Sequence, residues 1–486
     1  MRLSLLSSLL SVSLFFFFAG CGGNSSTTIT PAFTNATLVG AYTLTTSGVN
    51  VNGPFTLQAV FSMDGKGLIS TGSTFYDSTT TGAAGGQAMT GTYLVSGDGS
   101  VQIGLDTQII GSVSLNVVLA SPQHGQVVRF ENSATASGTL DKQDATAFGQ
   151  TSIAGTFAFN VKGRDQAGNP RASVGVFTAD AAGNILGGLI DTNDNGVLST
   201  NGALTPGAPS ELEIVPSLGR GILQFVTPND GLIAFNAIAV DNNHFKLSGS
   251  FPAMVTGDAY RVTDINVPNA MAFTMAGTSF NNAPVGSSTA YATGGILVTD
   301  GAGNFLNTSI RDVNTGGLPG NSNLTGTYFA VGNRVTMELN GTFHMVGYPS
   351  SGGMQLLSLE NDTIASGVAY AQTGPFSNAT ASGSYSVSMS GQSTKGEVDA
   401  VAQLNSSGPG TLSGSLTLNE AGALTSGFAL TTTYSADAIG RGPGTLVTTD
   451  SSQNVMFYTV DSSRILFIEF DSKFVVQGML VKQTLQ

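Results

Sequence analysis

Gly40-Ala41-Tyr42-Thr43-Leu44-Thr45-Thr46-Ser47-Gly48 is the phrase on which the fold turns. Tyr42 and Leu44 fall on one side of an extended chain, Thr43 and Thr45 on the other. A period of two is that of a strand with one buried face. The phrase returns as Gly155-Thr156-Phe157-Ala158-Phe159 to Gly163 and as Gly383-Ser384-Tyr385-Ser386-Val387 to Gly391, and more weakly as Asn269-Ala270-Met271-Ala272-Phe273 to Gly277. The copies begin 115, 114 and 114 residues apart. A closing phrase keeps the same period: Gly138 with Lys142-Gln143, Gly257 with Tyr260-Arg261, Gly367 with Tyr370 and Gln372, Gly478 with Lys482-Gln483. Two phrases locked to one period mark tandem repeats.

The repeats fall at 38–144, 153–263, 268–373 and 381–486, each near the common domain size. Repeat one contains eight alternating runs, at 40–47, 54–63, 67–77, 89–96, 99–107, 111–120, 125–132 and 134–143. Asp64-Gly65, Gly85-Gly86, Gly97-Asp98-Gly99 and Ser121-Pro122 punctuate them, as turns do. The expected fold is all-β: four tandem antiparallel eight-stranded meander barrels, in which strand eight closes on strand one and removes the open edges. β-Sandwiches are the alternative. A propeller fits less well, because each half-repeat carries about three or five runs rather than four.

Composition narrows the function classes. Only 10% of the 486 residues are charged, against about 25% in ordinary soluble domains. A helical bundle or coiled coil lacks its charged face. One Cys excludes a disulfide scaffold, and 64 glycines without a three-residue period exclude collagen. A net charge of −13 excludes a nucleic-acid partner, whose phosphates need Lys and Arg.

Residues 1–20 read as an export signal: Arg2, an apolar run over 3–18 that ends in four phenylalanines, then Ala19-Gly20-Cys21. The run is shorter than the roughly 20 residues of a spanning helix. Phe18-Ala19-Gly20-Cys21 resembles a bacterial lipobox, with Phe18 where an aliphatic residue is usual. The resemblance implies that Cys21 carries the lipid, a palmitate-bearing membrane anchor. Gly22 in place of Asp after the Cys implies sorting to the outer membrane of a Gram-negative envelope. Residues 21–37, rich in Gly, Ser, Thr and Asn, read as a flexible tether.

Phe177-Thr178-Ala179-Asp180-Ala181-Ala182-Gly183-Asn184-Ile185, followed by Gly188 and Asp191-Thr192-Asn193, is similar to the repeat of a group of uncharacterised bacterial repeat lipoproteins. Repeat one keeps Phe61, Asp64-Gly65 and Gly67; repeat three keeps Asp300-Gly301, Gly303-Asn304 and Asp312-Val313-Asn314. The resemblance covers nearly the whole chain. It implies an envelope location and no established activity.

Candidate chemistry is sparse. Asp191, Asn193 and Asn195 match the first half of an EF-hand loop, but Gly202 stands where the bidentate Glu belongs. They are the candidate Ca²⁺ ligands, and an Asx-rich hairpin turn accounts for the same residues without a metal. Asp64, Asp180 and Asp300, each with Gly three residues on, read as type I turns followed by a left-handed Gly. His124, His244 and His344 read as solvated loop histidines. Arg220 and Arg441, each between glycines, read as tight turns. No catalytic residue and no cofactor are expected. The function expected is a lipid-anchored envelope protein acting as a non-catalytic structural, adhesive or interaction module. The alternative is a binder of small apolar ligands in barrel lumens, and the third reading is a hydrolase with a site between repeats.

Overall fold

The computed structural model describes residues 32–78, 82–165, 167–249, 253–281 and 287–485. The signal, Cys21 and residues 21–31 of the tether lie outside the described residues. Repeat one forms strands Val39–Asn50, Gly53–Asp64, Leu68–Ser78, Gly82–Val95, Ser100–Thr107, Gly111–Ser121, His124–Arg129 and Ala134–Lys142. They run as a meander, and the eighth pairs back with the first. Repeats three and four are closed eight-stranded barrels of the same order.

Repeat two corrects the expectation of four eight-stranded barrels. It is a nine-stranded sheet. The long fourth strand of the other repeats is broken there into Val197–Ala203 and Glu211–Val215. Between them lies Leu204-Thr205-Pro206-Gly207-Ala208-Pro209-Ser210, and two prolines cannot donate to a ladder. Isolated bridges, Asn184 to Glu211 and Thr205 to Val226, span the gap instead.

The landmark glycines mark the seam between first and last strands. Gly48 faces Ala136, and a Cβ on it would lie 2.0 Å from the Thr135 carbonyl oxygen. A Cβ on Gly138 would lie 1.8 Å from that of Thr45. Gly163 and Gly257, and Gly277 and Gly367, make the same close approach. The period read from the sequence is therefore the period of barrel closure.

Each repeat has its own apolar core. Further clusters lie between repeats: Val174, Val346 and Tyr348 join two to three, Ala272, Ile296, Tyr458 and Leu466 join three to four, and Val118, Val128 and Val401 join four to one. Gln58 and Ser248 bond across one and two. The four repeats thus form a ring. For this reason the hydroxyl face of the first strand is not solvated as expected: Thr43 and Thr45 are buried.

The same joint recurs around the ring. The Asn193 amide donates to the carbonyls of Ser358, Glu360 and Thr363 in repeat three. Asn314 donates to Glu469, Asp471 and Phe474 in repeat four. Asn419 donates to Arg129, Glu131 and Ala134 in repeat one. The equivalent turn of repeat two lies partly outside the described residues. The closing-phrase glutamines act likewise: Gln143 reaches the Ala239 carbonyl at 2.8 Å, Gln372 that of Thr459 at 2.6 Å, and Gln483 that of Leu119 at 2.8 Å.

Asn419→Ala leaves buried carbonyls unsatisfied, at about 1–3 kcal/mol. It is expected to lower the thermal midpoint as much as Asn193→Ala or Asn314→Ala does. An Asn419→Ala protein that melts with the wild type while the other two variants melt early would mean that repeats four and one do not meet in solution.

Candidate functional site

The residues singled out by sequence mostly serve the joints. Asp191, fully buried, accepts from Arg334 Nε and Nη2, both at 2.8 Å, and from the Tyr348 hydroxyl at 2.5 Å. Asp312 is held in the same way by Arg441 and Tyr458. Asn193 belongs to the same joint, and Asn195 occupies the turn with φ 52°. Asp191 and Asn193 are thus engaged by different partners, and Asn195 serves the turn through its backbone. The Asp-x-Asn of the repeat phrase is an inter-repeat clamp. Arg441 is its cationic side rather than a turn residue, and Arg220 opens the strand Arg220–Thr227, bonds Ser73 and lies over the Phe75 ring of repeat one. Sequence reasoning missed Arg334, which has no flanking glycines.

The histidines are corrected too. His124 opens the strand His124–Arg129 and pairs with Asp141 at 2.6 Å; His244 opens His244–Gly249 and pairs with Asp258 at 2.6 Å. Buried Lys246 bridges both carboxylates, at 3.1 and 2.8 Å. Burial alone would raise the two acids, yet Lys246 and the imidazoles hold Asp141 well below the usual range and bring Asp258 down to about 2. His344 pairs with Glu360 within the strand Phe343–Tyr348. Asp64, Asp180 and Asp300 accept backbone amides of their own turns, as expected.

On the ring axis Gly48, Gly163, Gly277 and Gly391 line a cleft of about 240 Å³. Lys162, Glu397 and Asp399 face into it. Ser137 donates to Asp399 at 2.6 Å. Burial pushes Asp399 up to about 6, opposed by Ser137 and Lys162.

Opposite these glycines, on the second strand, stands the residue that decides each lumen. It is Phe55, Arg171, Tyr291 or Val398 in repeats one to four. The first three build stoppers. Phe55 stacks on Tyr76 at 5.7 Å, under the Arg129 guanidinium at 4.9 Å. Arg171 pairs with Asp194 and Asp230. Tyr291 bonds Arg311, whose guanidinium lies 3.8 Å from the Phe343 ring centre. Repeat four has Val398, then Ala400, and it has Glu469 where repeat one has Arg129.

A cavity of about 640 Å³ results, a size typical of small-molecule sites. Val398, Ala400, Leu416, Leu430, Leu446 and Phe467 form its wall; Thr394, Lys395, Asp450, Ser451 and Lys473 lie on turns at one end. Lys395 is paired to Glu420 at 2.6 Å. Glu469 is 2% exposed, and neither carboxyl oxygen has a hydrogen-bond partner. Neighbouring Asp471 spends its oxygens on the amides of Asn454 and Lys473. Burial, with Asp471 adding and Lys473 opposing, pushes Glu469 up to about 10, so it is a neutral acid at pH 7. The signal for this site was in the sequence: Val398 stands where the aligned repeats carry Phe55, Arg171 or Tyr291.

Neither a protein-family model nor a curated protein matches the chain. Among solved structures it is similar to a transferrin binding protein B mutant from Haemophilus parasuis, at TM-score 0.22 and 8% identity over 76% of this chain and 86% of that one. Kievitone hydratase from Nectria haematococca gives TM-score 0.19 and 10% identity over 70% and 92%. At these scores the likeness carries no argument about fold or function. No helix among the described residues is long and apolar enough to cross a membrane.

Between the ordinary glutamate value near 4.3 and about 10, the unfolded chain ionises Glu469 while the folded chain keeps the proton. Stability therefore falls as pH rises across that window, by up to about 1.4 kcal/mol per pH unit from this group. Glu469→Gln is expected to be more stable than wild type at pH 7 and to show a flatter decline from pH 5 to 9. Parallel declines in chemical-denaturant titrations would show that Glu469 is ionised in the fold.

Proposed function

We propose that this chain is a lipid-anchored interaction module of the cell envelope, and that it works by binding a small, largely apolar ligand in its fourth barrel. One observation carries the reading: Val398 replaces a stopper, with Ala400 beside it, and a ligand-sized lumen is left. The strongest charged clusters, around Asp191, Asp312 and Lys246, are engaged between repeats, which suits a rigid scaffold better than a reaction centre. The lipobox-like Cys21 supports the anchor, and Gly22 the outer membrane.

The purified protein is expected to bind an apolar fluorescent naphthylamine saturably, one per chain. Val398→Phe with Ala400→Leu rebuilds the packing of repeat one, where Phe55 and Leu57 are buried, and is expected to weaken binding about tenfold or more. Its thermal midpoint should stay at or above the wild-type value, because filling a cavity restores contacts. Unchanged binding by the refilled variant would remove the lumen as the site. For the anchor, cells fed labelled palmitate should label the wild type and not Cys21→Ser; equal labelling would dismiss Cys21.

A further inference from the structure

The lumen wall is largely apolar; of the three acids lining the cavity, Glu420 is paired to Lys395 and Asp450 is exposed on an end turn, which leaves Glu469. Glu469 is almost wholly buried, lines the cavity and has both oxygens unpartnered. A buried polar group without a partner is costly, so a ligand that completes it gains what an apolar one cannot. The charges near the mouth do not favour an ionic head group. Lys395 is already neutralised by Glu420, and Lys473 stands near Asp450 and Asp471 on the adjoining turns.

Resting on the lumen reading, we propose that the ligand is an uncharged amphiphile whose hydroxyl or amide group hydrogen-bonds the Glu469 carboxyl, with its apolar body against Val398, Ala400, Leu416 and Leu446. A carboxyl that keeps its proton both donates and accepts, and so matches a hydroxyl or a primary amide in one contact. The raised Glu469 agrees with this, because an ionised acid would select a cation. The carboxyl, near the turn that carries Lys473, leaves the head group towards that end of the barrel.

The test displaces the naphthylamine at pH 7 with n-decanol, decanoate or n-decylammonium, which share one chain and differ in the head. Decanol is expected to displace at the lowest concentration, by about fivefold or more. Glu469→Gln should stay within about threefold of wild type, since an amide also donates and accepts. Glu469→Leu should keep the naphthylamine and lose the preference for decanol about tenfold. A preference for decylammonium would mean an ionised Glu469, and a preference for decanoate would make Lys395 and Lys473 the anchor; either overturns the proposal. So does a ranking that Glu469→Leu leaves unchanged. If the wild type fails to hold the naphthylamine at all, the lumen reading falls, and this inference with it.

Discussion

Three carbonyl oxygens, at the end of the seventh strand, in the turn after it and at the start of the eighth, lie at the boundary between repeats, and the architecture depends on how they are satisfied. Buried carbonyls need donors. A single carboxamide from the preceding repeat supplies them: Asn193, Asn314 or Asn419. That contact fixes the third strand of one repeat against the seventh of the next. It carries Asp191 to Arg334 and Asp312 to Arg441, and it leaves the first strands of all four repeats facing one axis. Breaking such a buried ion pair costs about 3–5 kcal/mol, because the survivor is left uncompensated.

Much of this was legible in the sequence, though not all for the right reason. Gly48, Gly138 and their copies were visible as landmarks because first and last strands approach too closely there for any side chain. The strands of repeat one lie within a few residues of the alternating runs, except the fourth, which starts seven residues early. Repeat two departs because the eight alternating runs are those of repeat one, and Pro206 and Pro209 interrupt its own fourth strand. The joints were illegible: Thr43 and Ser386 look like a solvated face, and nothing local says that a neighbouring repeat covers it. His124 was misread for the same reason, since Lys246, which holds its partner Asp141, comes from the next repeat; His244 shares a strand with Lys246, but the Asp141 that completes the cluster comes from the repeat before.

The candidate site shows how one scaffold can acquire a site by subtraction. The ring is built from all four repeats, but it does not need all four to be filled. Three carry a ring or guanidinium opposite the seam glycine, and the fourth carries Val398. The glutamate at the place of Arg129 then turns a stopper into a polar lining. Fold and site are separable in such a design: the joints use backbone carbonyls and outward side chains, and the lumen uses inward ones.

Phe33 and Leu485 pack into the core of repeat one together. Gln483 ties the last strand of repeat four to Asp98 and Leu119 beside them. A pull entering at Phe33 therefore does not act on one end of a row of beads. It is shared at once with repeat four, and passes both ways round the ring. The mechanical weak point moves from the first repeat to whichever joint is loosest, and no single barrel can be peeled away without opening the circle.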